Sequence, residues 1–127
     1  MAGDGGAFAV VVGDDIIPAS GEALPADALS WHPLLQRVVR IGEPAGSRVW
    51  IYYKGSAYLA DPASLRPVGS IVIGAGDEVS YKGQPAVVRD VVWHFKDECA
   101  NYYVTQNGRR VSKRLYDRDL ELLASAP

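Results

Sequence analysis

The chain holds one cysteine, Cys99, and two histidines, His32 and His94. A lone cysteine excludes an internal disulfide framework and fits a reducing compartment. A structural zinc site takes about four Cys or His ligands, so these three residues are too few unless carboxylates contribute. No metal and no other cofactor is expected. Long hydrophobic runs are missing as well. Nothing approaches the ~18 residues of a membrane-spanning helix, and "MAGDGGAFAVVVGDD" carries acids where a secretory signal would carry basic residues. A soluble cytoplasmic protein with no membrane partner is the expectation. Charge of one sign is also lacking: 13 Lys and Arg against 15 Asp and Glu leave a net −2. That balance argues against bulk polyanion binding and leaves room for a local basic patch.

Catalytic motifs are absent in the same way. No G-x-S-x-G elbow or other nucleophile motif occurs. Cys99 sits in "FKDECANYY" beside Asp97 and Glu98, and adjacent carboxylates disfavour a thiolate. A packed or loop cysteine is the expectation there. "SIVIGAGDEV" offers Gly74 and Gly76 but no third glycine, and it places Asp77 and Glu78 where a pyrophosphate needs donors. It reads as a turn. No enzyme activity is expected.

What is present is globular composition: 127 residues, 48% hydrophobic and 22% charged, enough for one domain or two very small ones sharing a core. "AFAVVV" (7–12) predicts a buried strand ending at a turn in "GDD". Residues 33–41 stay open between two readings. Leu34, Leu35, Val38, Val39 and Ile41 fit a short helix from Pro33 to Gly42, while "RVVRI" also fits a strand. "RVWIYYKGSAYLAD" predicts a hairpin turning at "KG". Residues 69–95 give three strand-like runs separated by "GAGD" and "KGQP". Asn107-Gly108 supplies the positive φ angles of a type I′ turn, so a second hairpin is predicted there, closed by "RLYDRDLELL".

Two stretches echo each other. "GDDII" (13–17) matches "GDEVS" (76–80), Trp31-His32 matches Trp93-His94, and 49–68 matches 102–123 as hairpin, turn glycine, hairpin and a Leu-anchored exit. The echo fits either a duplication or a chance recurrence of common turns. Each unit of roughly 45–55 residues is too small to bury much surface alone, and two packed together solve that. "GDEVSYKGQPAVVRDV", with its Gly-Asp turn, alternating strand, Lys-Gly turn and second strand, resembles the opening of SH3-like small β-barrels of the Tudor and KOW group. The resemblance covers about residues 76–123, and 13–68 only through the echo. It implies a mostly-β fold of two small SH3-like barrel units packed as one compact body, with at most one short helix. The segments are 1–12 (tail and first strand), 13–68 (a divergent first unit) and 69–127 (the second unit). Such barrels bind peptides, modified side chains, nucleic acid or other subunits, so the resemblance does not settle function.

The candidate site follows from the second hairpin. A two-residue turn puts Thr105 opposite Arg110, Val104 opposite Val111 and Tyr103 opposite Ser112. Alternation then gives Tyr102, Val104 and Val111 a core face with Lys113 at its rim, and gives Tyr103, Thr105, Arg110, Ser112 and Arg114 the other face. That face suits an acidic protein partner, a stacked base with phosphates, or plain solvation at a protected edge. Asp117, Asp119 and Glu121 follow and would partly neutralise it. Trp93 and His94 are further binding candidates. In the first hairpin Trp50, Tyr52 and Leu59 form a second apolar face, covered either by the other unit or by another chain, which would make a homodimer. Trp93, Phe95, Tyr102, Tyr103 and Tyr116 are enough rings to cage a cationic group. The leading expectation is a non-enzymatic binding or adaptor module docking on a protein partner through the basic, aromatic hairpin. The alternatives are weak single-stranded nucleic-acid binding through Tyr103, Arg110 and Arg114, and a small-ligand site at the joint between units.

Overall fold

The computed structural model describes residues 7–18, 34–69 and 71–125. Its first sheet is built from β1 (Phe8–Val11), β2 (Ile16–Pro18), β3 (Val38–Ala45), β4 (Arg48–Tyr53), β5 (Ser56–Ala60) and β6 (Leu65–Val68). Their order is β2-β5-β4-β3-β1-β6. The open question over 33–41 resolves partly into strand. Residues 34–37 turn, and from Val38 the chain lies between β1 and β4, whose ladders satisfy both of its edges. Pro33 falls outside the described residues. The β4–β5 hairpin turns at Lys54 and Gly55, with φ of 54° and 79°, the left-handed pair that a type I′ turn needs. After β5, Asp61 accepts a hydrogen bond from the Ala63 N–H at 2.9 Å and caps a 3-10 turn, Pro62–Ser64. That turn returns the chain so that β6 lies beside β1.

The second sheet holds β7 (Glu78–Tyr81), β8 (Gln84–His94), β9 (Cys99–Gln106), β10 (Arg109–Arg110) and β11 (Leu120–Ala124), in the order β10-β9-β8-β7-β11. Lys82-Gly83 and Asn107-Gly108 make the same left-handed turns as Lys54-Gly55. A 3-10 turn, Asp117–Asp119, again precedes the last strand, which pairs with the first. Setting β2 aside, the two sheets share one strand order. Residues 49–68 and 102–123 occupy matching places in it. "GDDII" and "GDEVS" do not: the first leads into the edge strand β2, the second into β7 beside β8 and β11. The first Trp-His pair lies outside the described residues.

The mostly-β expectation holds, in two sheets that form a compact body. Each sheet keeps two edges, so neither closes into a barrel. Of the three runs read between 69 and 95, only β7 and β8 are strands. Residues 71–73 carry the β-branched composition of a strand but have no neighbouring ladder. They cross between the sheets instead, and Ile73 is buried in the core.

The two sheets are joined by backbone, by apolar packing and by charge. Arg37 bridges Val92, and the Trp93 N–H donates to the Gln36 carbonyl at 2.7 Å. Phe8, Val10 and Val38 from the first sheet share one buried cluster with Val91, Tyr102 and Leu115 from the second. Arg40 Nη2 on β3 donates to both oxygens of Asp77, at 2.7 and 2.8 Å. Asp90 on β8 accepts from the Tyr53 hydroxyl at 2.7 Å, with Lys54 at 3.5 Å and Arg37 at 3.7 Å.

Burial, then the hydrogen bond and charge of Asp90, hold the Tyr53 phenol well above its ordinary range. Burial, then the charges of Asp117 and Asp77, do the same for Tyr102. A raised folded-state value means that the unfolded chain gives up these protons first. Their contribution to stability is fully present below about pH 10 and is lost as the pH rises further. In an absorbance titration, two of the seven tyrosines are expected to ionise only as the native circular dichroism disappears. Ionisation of all seven in a still-folded protein would contradict this.

Candidate functional site

The hairpin register forms as expected at its tip: Gln106 pairs with Arg109 and Thr105 with Arg110. The Val111 N–H then donates to the Val104 carbonyl at 2.9 Å. Beyond that point the expected pairing of Tyr103 with Ser112 does not occur. Leu115 takes the place opposite Tyr102, with N–H to carbonyl bonds of 2.8 and 3.1 Å running both ways. A regular hairpin would set Lys113 against Tyr102, which is 1% exposed, and a buried unpaired ammonium is costly. The chain instead steps off the sheet for Ser112, Lys113 and Arg114, all exposed. Tyr103, Thr105 and Arg110 therefore share the outer face, while Ser112 and Arg114 stand beside its edge in a loop.

One member of this face was not foreseen. The Arg89 guanidinium lies 5.5 Å from the centre of the Tyr103 ring and 3.8 Å from Asp90. A bulge between Val88 and Asp90 in β8 shifts the register opposite Tyr103 at this point. The "RD" pair was visible in the sequence, but the bulge that aims it was not. The tip is pinned over the β7–β8 turn, where Gln106 Nε2 donates to the carbonyls of Tyr81 at 2.9 Å and Gln84 at 3.2 Å.

Charge sets the hairpin apart. Arg37, Arg40, Arg48, Lys54 and Arg89 each have a carboxylate within 4 Å. Arg66, Lys82 and Arg118 sit over aromatic rings. Among the described residues, Arg109, Arg110, Lys113 and Arg114 show neither kind of partner, and the only other lysine in that position is Lys96 in the β8–β9 turn. The acids expected to neutralise the hairpin lie elsewhere. Asp117 and Asp119 follow Leu115, at the Tyr102 end of the pairing. Glu121 is on β11, at the opposite edge of the sheet from β10.

Trp93 does not join this face, and His94 pairs with Cys99, four residues along β9 from Tyr103. Trp93 pairs with Ala100 and lines a cleft of about 330 Å³ with Tyr102 and Tyr116. Its Nε1 is buried with no hydrogen-bond partner, as is His94 Nε2. Of the five rings considered for a cage, these three come together. Phe95 is exposed, with Arg66 5.3 Å from its centre, and Tyr103 lies on the other face of β9. In the first sheet Trp50 pairs with Leu59 and Tyr52 with Ala57. All four are half-buried, and Ile17 beside Leu59 is exposed. Among the described residues, no three His, Cys, Asp or Glu side chains gather to hold a metal ion, and no helix is long and apolar enough to cross a membrane.

No protein family, curated protein or solved structure matches this chain.

Proposed function

We propose that the protein is a non-enzymatic binding module that docks on an acidic surface of a protein partner through the β9–β10 hairpin. The observation that carries this reading is the contrast in charge pairing. Nearly every other described cation is held by a carboxylate or a ring, whereas Arg109, Arg110, Lys113 and Arg114 cluster at one sheet edge with no such partner. Arginine beside tyrosine is a favoured composition at interface centres. The tandem SH3-like reading, units at 13–68 and 69–127 from the sequence, is part of the same proposal, extended at its start to include β1, which the matching strand order counts as the counterpart of β7. It is supported by the shared strand order, the shared type I′ turns and the 3-10 turn before each last strand.

A single-stranded nucleic acid would use the same cations, but it would also need the Tyr103 ring for stacking. Arg89 already covers that ring, so the acidic protein surface is the better fit.

Anisotropy of a labelled Asp/Glu-rich peptide, and separately of labelled single-stranded DNA and RNA, tests the proposal at low and physiological salt. Wild type is expected to bind the peptide, and Arg110→Glu/Arg114→Glu to bind it about tenfold or more weakly. Both positions are exposed, so the variant should fold. Absence of peptide binding at low salt would sink the reading. Salt-sensitive binding of DNA or RNA but not of peptide would replace it with the nucleic-acid alternative.

A further inference from the structure

Three of the paired cations share a single carboxylate. Arg37 Nε approaches Asp90 at 3.7 Å, Lys54 Nζ at 3.5 Å and Arg89 Nη1 at 3.8 Å. Among the described residues, no other carboxylate comes within 4 Å of any of the three. Three cations around one carboxylate leave a net +2, and the Tyr53 phenol stays protonated and adds no charge. One cation neutralises a carboxylate. The second and third add like-charge repulsion, which an arriving anion would relieve.

Most of the donors on these side chains are also unspent. Arg37 Nη1 donates to the Leu35 carbonyl at 3.3 Å. Lys54 and Arg89 make no hydrogen bond among the described residues, and Arg89 Nε is buried without an acceptor. The contacts to Asp90 are longer than the ~2.7–3.2 Å of an N–H···O hydrogen bond. The fold nevertheless holds all three in place. The backbone bridge from Arg37 to Val92 sets Arg37 beside β8, and the β4–β5 turn carries Lys54. The β8 bulge aims Arg89, with the Tyr103 ring 5.5 Å away. Asp90 itself is fixed by the Tyr53 hydroxyl at 2.7 Å. The cluster therefore stands where the two sheets meet.

We infer that Arg37, Lys54 and Arg89 bind a phosphate group at this joint. A phosphate dianion matches the excess charge, and its oxygens accept from guanidinium and ammonium donors. Asp90 keeps the three cations together when no anion is bound. This inference does not rest on the hairpin reading, since none of the three belongs to the β9–β10 hairpin.

Thermal unfolding at about pH 8, where phosphate is doubly charged, is the test. Sodium phosphate at about 10 mM, against sodium chloride at equal ionic strength, is expected to raise the Tm of wild type by about 3 °C or more. In Lys54→Gln/Arg89→Gln the shift should fall below about 1 °C. Lys54→Gln alone, at a side chain 46% exposed, should lose about half of it. Arg110→Glu/Arg114→Glu should keep the full shift, so failure of this inference and failure of the hairpin reading are told apart. Glycerol phosphate, run in parallel, separates an esterified phosphate from the free ion, the larger shift marking the source. No phosphate shift in wild type would overturn the inference. Equal shifts in wild type and Lys54→Gln/Arg89→Gln would overturn it too, since phosphate would then act through general exclusion from the protein surface.

Discussion

Asp77→Ala is expected to lower the stability of the fold by about 3–5 kcal/mol. Asp77 is fully buried, at 0% exposure. Its two oxygens accept from Arg40 Nη2, and one also accepts from the Gly74 N–H at 2.7 Å. Removing the carboxylate leaves a guanidinium whose side chain is only 16% exposed, packed 4.9 Å from the centre of the Phe8 ring, without the buried carboxylate that accepts two of its hydrogen bonds. The informative comparison is Arg48 with Asp15, whose closest approach is also 2.7 Å but whose side chains are 29% and 50% exposed. Solvent screens that pair, and such surface pairs contribute about 0–1 kcal/mol. Distance is equal in the two cases, so burial decides. Urea denaturation of Asp77→Ala and Asp15→Ala measures both, and similar losses would refute the assignment. Arg40→Met/Asp77→Leu should recover part of the loss, because an apolar pair of similar volume removes both charges.

The limits of the sequence are clear at the same residues. "GAGD" was readable as a turn, and it is one, with Gly76 at a φ of 92°. That its aspartate would be buried against an arginine 37 residues earlier required knowing that β3 passes in front of it. The three hairpin turns were readable because Lys-Gly and Asn-Gly provide positive φ between β-rich runs, a local signal. Residues 71–73 carried that composition without a turn-linked partner. Strand propensity describes fit to a pleated surface, and no such surface is next to them. The shared strand order was half visible, in the similarity of 49–68 to 102–123. The Gly-Asp echo pointed to places that do not correspond. In the candidate site the four clustered cations were plain from the letters. Their lack of partners was not, because Asp117, Asp119 and Glu121 are near in sequence while the strand order carries Glu121 to the far edge. Arg89 was hidden by the β8 bulge, and the convergence of Trp93, Tyr102 and Tyr116 by the crossing of the chain that forms the cleft.

Leu115→Ala is expected to cost about 2–5 kcal/mol, while Lys113→Ala stays within about 0.5 kcal/mol of wild type. The hairpin rule gives the place against Tyr102 to the other residue. Counting outward from Asn107-Gly108 puts Lys113 opposite Tyr102, and Leu115 opposite Ala100 near the end of β9. Tertiary packing overrides the count. The ground around Tyr102 is apolar, with Val91 and Val104 both at 0% exposure, and an ammonium there would lose its hydration. Looping out three residues gives up a few ladder hydrogen bonds, each with a net value of about 1 kcal/mol and replaceable by water at an exposed edge. Burying Leu115 in place of Lys113 gains more: an apolar side chain at 0% exposure contributes about 1.5–3 kcal/mol from transfer alone. Truncating it adds the cavity left between Tyr102 and its neighbours. Denaturation of both variants, followed by circular dichroism, decides between the two registers. Little loss for Leu115→Ala, with a gain in stability for Lys113→Ala as a buried ammonium is removed, would restore the uninterrupted hairpin. It would also return Ser112 and Arg114 to the same face as Tyr103.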